Sequence, residues 1–289
     1  MSKIDPGLNR LMSIYLDGIP AELTAKLLPF WSKINPAVFI HIQLHSKVKG
    51  KAGSRQASFS KNSMKGLISS LESVISGLKL SSLKSFWSSY VPAHDSYSKS
   101  AFKDKEKIVI DYVKQTKAKT VWDLGSNTGH FSRLVATTAK EVVSFDYDSL
   151  SVEKNYLLSK DQNNILPLVV DWTNPSSDSG WANQERQSIL ERGPADCILA
   201  LALIHHLCIG ANIPLDKVAK LLSQLCQNLI IEFVPKEDPQ IKEMLLLRKD
   251  IFTDYNQQSF EKTFGKYFKI RSRKKIKGSL RLVYLMKTI

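Results

Sequence analysis

From Thr120 onward the chain alternates short apolar runs with stretches whose apolar residues recur at helical spacing. Thr120–Leu124, Glu141–Phe145, Ile165–Val170, Cys197–Leu203 and Leu229–Val234 read as strands. The last two are apolar on both faces, as a strand buried inside a parallel sheet requires. Between the strands, Phe131–Thr138, Ser151–Leu158 and the segment from Asp216 through Val218, Leu221, Leu222 and Leu225 read as helices. Tyr267–Arg273 and Leu280–Met286 flank Lys277-Gly278-Ser279, a hairpin signal. Strands alternating with helices and closed by a hairpin predict an α/β domain with a mostly parallel sheet and one antiparallel strand.

Before Thr120 the pattern is helical and broken. Ala21–Leu28 carries Leu23, Leu27 and Leu28 at helical spacing between Pro20 and Pro29, and Pro36 starts a new segment. Phe39–Leu44 is too short to separate helix from strand. His45–Lys65, with five lysines, Arg55 and several serines, reads as an exposed linker. Gly66–Leu80 returns to an amphipathic helix with Leu67, Leu71, Val74, Ile75 and Leu78 on one stripe. After a break at Pro92, a helix is expected from about Lys99 to Gln115, with Ile108, Val109, Tyr112 and Val113 packed on the sheet. Trp87 and Tyr97 are candidates for a lid over a ligand, or for packing of the helical cap. The expected division is a mainly helical, basic accessory region at 1–95 and an α/β domain at 96–289.

Charge changes the picture more than composition does. The 289 residues carry a net charge of +14, unevenly spread. Residues 1–120 hold 19 Lys+Arg against 8 Asp+Glu, residues 121–240 hold 9 against 15, and residues 241–289 hold 13 against 4. Two basic flanks admit a polyanionic partner such as nucleic acid, but a lysine-rich solvated surface is the favoured reading. No apolar run is long enough to span a bilayer and the N-terminus has no signal-peptide pattern. Cys197, Cys208 and Cys226 lie far apart without a CxxC pair, so buried thiols and a cytoplasmic location are expected.

The chemistry concentrates in KTVWDLGSNTGHFSRLV, residues 119–135. An apolar strand ends near Asp123, a small-residue turn runs from Gly125 to Gly129, and a helix opens after it. Such a turn brings backbone N–H groups against a ligand. A dinucleotide fold wants a middle glycine where Asn127 stands. Asp123 just ahead of the turn repels a pyrophosphate and attracts a cationic ligand.

WDLGSNTG resembles the first motif, D-x-G-x-x-x-G, of the class I S-adenosylmethionine-dependent methyltransferases, and the resemblance covers about Ala101 to Ile289. It implies a Rossmann-like methyltransferase fold: a seven-stranded, mostly parallel sheet with a C-terminal antiparallel hairpin. It implies S-adenosyl-L-methionine as cofactor, its methionine part held by Asp123, Gly125, Ser126, Asn127 and Gly129. Asp146, ending the second strand in VVSFDYD beside Tyr147, would accept from the ribose hydroxyls. Asp148 is the runner-up, or else a helix cap. Asp171 and Trp172 in LVVDWT would clamp adenine. PADCILALALIHHL looks like the fourth motif, with Leu201 bordering the cofactor and His205 or His206 placed to deprotonate an acceptor. Glu232, in LIIEFVPKEDP, would orient substrate or a histidine. No metal is expected, because adjacent histidines are poorly placed to bind one ion together.

DWTNPSSDSGWANQERQSILERGPAD, ALALIHHL, IIEFVPKEDPQ and RKDIFTDY together resemble a bacterial subfamily related to the nodulation protein NoeA. Asn174, Trp181, Asn183, Glu185 and Arg186 become candidates for a substrate loop. The expected function is methyl transfer to an unidentified O or N acceptor, a small molecule by preference. The alternatives are a non-catalytic S-adenosylmethionine-binding or RNA-binding module, and an RNA or protein methyltransferase using the basic flanks. The chain lacks [DN]PP[YF] and a suitably placed cysteine, which weakens base methylation. The missing middle glycine disfavours a nicotinamide oxidoreductase.

Overall fold

Capping side chains set where several of the helices begin in the computed structural model, which describes residues 6–44, 46, 60–78, 97–246 and 249–289. The chain divides into two compact units, Met1–Leu83 and Lys84–Ile289. In the first, α1 (Ala21–Leu27) follows Pro20 and stops before Pro29. Asn35 accepts from the backbone N–H groups of Ala37 and Val38 at 3.0 and 3.3 Å, starting a short turn at Pro36. Phe39–Leu44 is a π-helical turn, which resolves the helix-or-strand ambiguity. Helix α2 (Lys61–Ser76) begins earlier than its apolar stripe, because the Ser60 hydroxyl caps it by accepting from Ser63 N at 3.1 Å. The linker reading therefore fails from Lys61 to Lys65. Most of the remaining linker, together with Trp87 and Pro92, lies outside the described residues.

The second unit opens with α3 (Lys99–Thr116), capped by Ser98 and closed by Lys117 in the left-handed region at φ 55°. Then come β1 (Thr120–Leu124), α4 (His130–Val135), β2 (Glu141–Asp146), α5 (Ser149–Ser159) and β3 (Ile165–Val169). They are followed by β4 (Ala195–Ala200), α6 (Leu215–Leu225), β5 (Cys226–Phe233), α7 (Pro239–Leu246), α8 (Gln257–Phe264), β6 (Phe268–Lys275) and β7 (Leu282–Thr288). The seven strands lie in the order β3-β2-β1-β4-β5-β7-β6, with β7 antiparallel to both neighbours and the other pairings parallel. This is the sheet the sequence predicts. Strand ends shift by a few residues, most plainly at β4, which ends at Ala200 and not Leu203 because Ala202 turns the chain through φ 51°. The run stays apolar past the strand because Leu201 and Ile204 remain buried in the turn that follows.

Side chains alternate across this sheet, and the alternation places the site. Val121, Val142, Leu199, Ile230 and Val283 face one core layer with Ile108, Val109, Tyr112 and Val113 of α3. Trp122, Ile198, Leu229, Ile231 and Tyr284 face the other, with α6 and α8. Asp123 follows Val121 by two and Glu232 follows Ile230 by two. Both carboxylates therefore look toward the α3 layer at the carboxyl edge of the sheet. The three cysteines are free and buried, and burial pushes the Cys208 and Cys226 thiols up to about 12. At that value they are not nucleophiles. Among the described residues no helix is long and apolar enough to cross a membrane.

Candidate active site

The glycine turn between β1 and α4 is built from three left-handed residues: Gly125 at φ 72°, Asn127 at 49° and Gly129 at 74°. The Gly125 and Ser126 N–H groups donate to the Phe145 carbonyl at 2.8 and 2.9 Å, which locks the turn onto β2. A Cβ on Gly129 would stand 1.8 Å from Asn155 Oδ1. Asn155 cannot yield easily, since it is fully buried, donates to Ser144 Oγ at 2.9 Å and accepts from Arg133 at 3.2 Å. Packing as well as backbone conformation fixes glycine at 129. The Ser126 hydroxyl is buried with no partner, in a turn that otherwise satisfies its donors.

Asp146 joins this turn directly. One carboxylate oxygen accepts from Asn127 N at 2.7 Å and the other from Asp148 N at 2.9 Å. The Tyr147 N–H also acts on this carboxylate. Asp148 caps α5, accepting from Ser151 N at 3.0 Å. Tyr147 beside it is 50% exposed. Asp123 is buried and accepts from Ser132 Oγ of α4 at 2.6 Å. Burial raises both Asp123 and Asp146 to about 6.

Beyond β3, Asp171 accepts from the Thr173 N–H and hydroxyl at 2.9 and 2.6 Å, which shapes its own turn. Trp172 is buried edge-on to Phe145 with ring centroids 5.3 Å apart, and its Nε1 has no partner. In the loop that follows, Ser179 and Arg186 bridge and Trp181 stands 84% exposed.

At the end of β4, Leu201 is buried against the α3 layer and Ala202 holds a left-handed conformation that costs about 1–3 kcal/mol. His205 and His206 follow in a helical turn, their rings 4.2 Å apart. His205 is 1% exposed and neither ring nitrogen has a hydrogen-bond partner. Burial drives its pKa well below the usual value, aided by His206, Arg281 and Lys105. Burial takes His206 down to about 4. Both imidazoles are neutral at physiological pH.

Glu232 is the centre of a cluster the sequence does not reveal. Lys105 Nζ lies 2.6 Å from one of its oxygens and the Tyr97 hydroxyl donates to the other. Tyr97 in turn accepts from Lys105 at 3.1 Å and from Arg281 Nη1 at 2.7 Å. Arg281, immediately before β7, grips Asp238 with two bonds of 2.7 and 3.0 Å and reaches Gln240 at 2.9 Å. The Lys105 and Arg281 cations also lie over the Tyr97 ring, 4.8 and 4.6 Å from its centroid. Tyr97 is thus buried in this network beside the sheet edge.

The structure joins Gly125, Ser126, Asn127, Gly129 and Asp146 in one turn, and pairs His205 with His206. Asp171 and Trp172 are held by their own neighbours. Lys105, Arg281, Asp238 and the hub position of Tyr97 escape sequence reasoning. One signal was available: Lys105 falls on the same helical stripe as Ala101, Ile108 and Tyr112. A charge on a buried stripe asks for a buried partner.

No protein-family profile matches this chain. It is 36% identical over 281 residues to the nodulation protein NoeA of Rhizobium meliloti, covering 93% of this chain and 59% of NoeA. The chain therefore spans well under two thirds of that relative. Among solved structures, the N-methyltransferase NodS from Bradyrhizobium japonicum in complex with S-adenosyl-L-homocysteine aligns with TM-score 0.50 at 9% identity, over 68% of this chain and 90% of NodS. The PH0226 protein from Pyrococcus horikoshii aligns with TM-score 0.50 at 17% identity, over 72% of this chain and all of PH0226. The chain is a relative of NoeA and has the fold of the class I S-adenosylmethionine-dependent methyltransferases.

Proposed function

We propose that this chain is an S-adenosylmethionine-dependent methyltransferase acting on an O or N acceptor of small-molecule type. The observation that carries the reading is the glycine turn bound to Asp146 through Asn127 N at 2.7 Å, with the buried Ser126 hydroxyl unpartnered beside it. The group fits there. Gly125, Ser126, Asn127 and Gly129 would lie along its methionine part, Asp123 near its cationic end, and Asp146 on the ribose diol. Asp171 and Trp172 would border its adenine, with Tyr147 and Leu201 beside it. When bound, the cofactor supplies an electrophilic methyl group on a sulfonium. The chain's own residues then position and deprotonate: His205 or His206 takes the acceptor proton, and Glu232 holds the acceptor side of the edge through its ion pairs.

Calorimetry tests the cofactor half. S-adenosyl-L-homocysteine should bind and NAD should not; tight binding of NAD alone would sink the reading. Affinity should also depend on pH. Asp146 accepts from ribose hydroxyls best when ionised, and its carboxyl titrates at about 6. Affinity is expected to be flat from pH 7 to 8 and to weaken by up to about tenfold per pH unit below 6. An affinity that rises on acidification would remove Asp146 from the ribose role. Transfer of labelled methyl into a cell extract tests the catalytic half. Binding without transfer would favour a non-catalytic module.

One observation favours a second acceptor class. The edge strand β6 exposes Lys269, Arg271, Lys274 and Lys275, a basic row that an RNA or an acidic protein would match. Lysines on an edge strand also prevent strand-to-strand association, so the row has a role without such a partner. Label appearing in the RNA or protein fraction of the extract, and not in the small-molecule fraction, would select this second reading.

A further inference from the structure

The first unit keeps its apolar side chains outside. Among its described residues no hydrophobic side chain is buried, and the two buried residues, Ser32 and Gln43, are polar. Helix α2 shows the pattern most plainly. Met64, Ile68, Leu71, Ile75 and Leu78 form one stripe along the helix and the turn that ends it. All five are exposed, Ile68 by 56% and Ile75 by 66%. The opposite face carries Asn62, Gly66, Ser69, Ser73 and Ser76, and Glu72 is the one acid of the helix. Lys61 and Lys65, both exposed, lie along one border of the stripe. The His41 ring and the Ser70 hydroxyl meet at 3.0 Å, which ties the turn Phe39–Leu44 to α2. That turn exposes Ile40 and Leu44, and Trp31 and Ile34 stand exposed just before it.

A 16-residue helix with serine and glycine on its polar face is marginal in water unless its stripe is covered. Charge and size choose among the covers. The unit Met1–Leu83 holds 11 Lys+Arg against 4 Asp+Glu. A nucleic acid would answer that charge but offers an apolar stripe nothing to pack against. A second copy of α2 would answer the stripe but not the charge. Two such helices, each about 24 Å long and about 10 Å across, would bury well under the ~1,200 Å² at which stable protein interfaces begin. The surface of an anionic bilayer answers both. It takes an apolar stripe at the acyl boundary without needing a matching shape, leaves uncharged hydroxyls among the headgroups, and attracts a basic unit. The helix is shorter than the ~20 residues needed to span a bilayer, so it would lie in the plane of the surface. We propose that the first unit docks on anionic lipid membranes, with the Met64–Ile68–Leu71–Ile75–Leu78 stripe of α2 in the interface and Lys61 and Lys65 at the headgroups. The α/β unit is thereby held beside a membrane surface.

Vesicle flotation with the full chain tests this, using phosphatidylcholine alone and phosphatidylcholine mixed with phosphatidylserine. The bound fraction is expected to be at least about fivefold higher on the mixed vesicles at low salt and to fall as salt is added. The double variant Ile68→Asp with Ile75→Asp should lose at least about tenfold in binding while its melting temperature stays that of the parent. Lys61→Glu with Lys65→Glu leaves the stripe intact and should weaken binding to the mixed vesicles alone. No flotation with either vesicle, or equal flotation with both, overturns the proposal. So does full binding by the Ile68/Ile75 variant. A lowered melting temperature in that variant would show the stripe packed within the chain. A doubled mass in light scattering, lost in the same variant, would show a second copy on it. Either result overturns the lipid assignment and leaves the methyltransferase reading untouched.

Discussion

Replacing Lys105 by alanine is expected to destabilise the α/β unit by about 3–5 kcal/mol. The reason lies in what remains. Glu232 is completely buried, and Lys105 stands 2.6 Å from it with only 3% of its side chain exposed. Burial acts to raise the Glu232 carboxyl, but Lys105 and Arg281 more than offset it and hold it below the ordinary carboxylate range. Without Lys105 the carboxylate keeps Arg281 at 3.6 Å and the Tyr97 hydroxyl, which is too little to offset the cost of burial. The sign with pH follows. A carboxyl depressed in the folded state contributes stability that is present at neutral pH and lost as acid protonates it. Urea unfolding at pH 7 measures the effect. The double variant Lys105→Met with Glu232→Gln should recover much of the loss, since removing both charges is far less harmful than removing one. Losses under about 1 kcal/mol in the single variant would show that the pair is not the keystone of this edge.

His205→Ala is expected to lower turnover by about 10²–10⁴-fold while changing cofactor affinity less than about threefold. His205 is buried with both nitrogens unsatisfied, so truncation breaks no hydrogen bond within the protein. The loss should fall on kcat. His206→Ala is expected to have a smaller effect, because the His206 ring is less enclosed and acts on His205 across 4.2 Å. Turnover unchanged in both variants would remove the general base. A loss confined to cofactor affinity would instead place His205 on the cofactor.

The central strands were legible because parallel strands buried on both faces leave continuous apolar runs, as at Ile198–Ala200 and Leu229–Ile231. The glycine turn was legible because only a few residue types tolerate φ near 70°, and Gly125 and Gly129 advertise the positions. Element ends were less so. Apolar character alone ran β4 on to Leu203, since burial continues after hydrogen bonding stops. Helices α7 and α8 were not read from the sequence, being two turns long each, too short for a periodicity to stand out. The cluster around Glu232 was hidden for a different reason. Its members come from the segment just before α3, α3 itself, β5, the loop after β5 and the residue before β7, and 184 positions separate Tyr97 from Arg281. Charged residues on a surface and charged residues paired in a core look alike one at a time. Only the topology, which sets β7 beside β5, brings them together.

The contact between Gly129 and Asn155 has a consequence for how this sequence can change. Because a Cβ at 129 would meet Asn155 Oδ1 at 1.8 Å, the two positions are mutationally ordered. A smaller residue at 155 must appear first. Only then does any side chain at 129 become a question of backbone strain alone, at φ 74°. The reverse order passes through a broken turn, so drift at Gly129 is gated by a residue on the neighbouring helix α5.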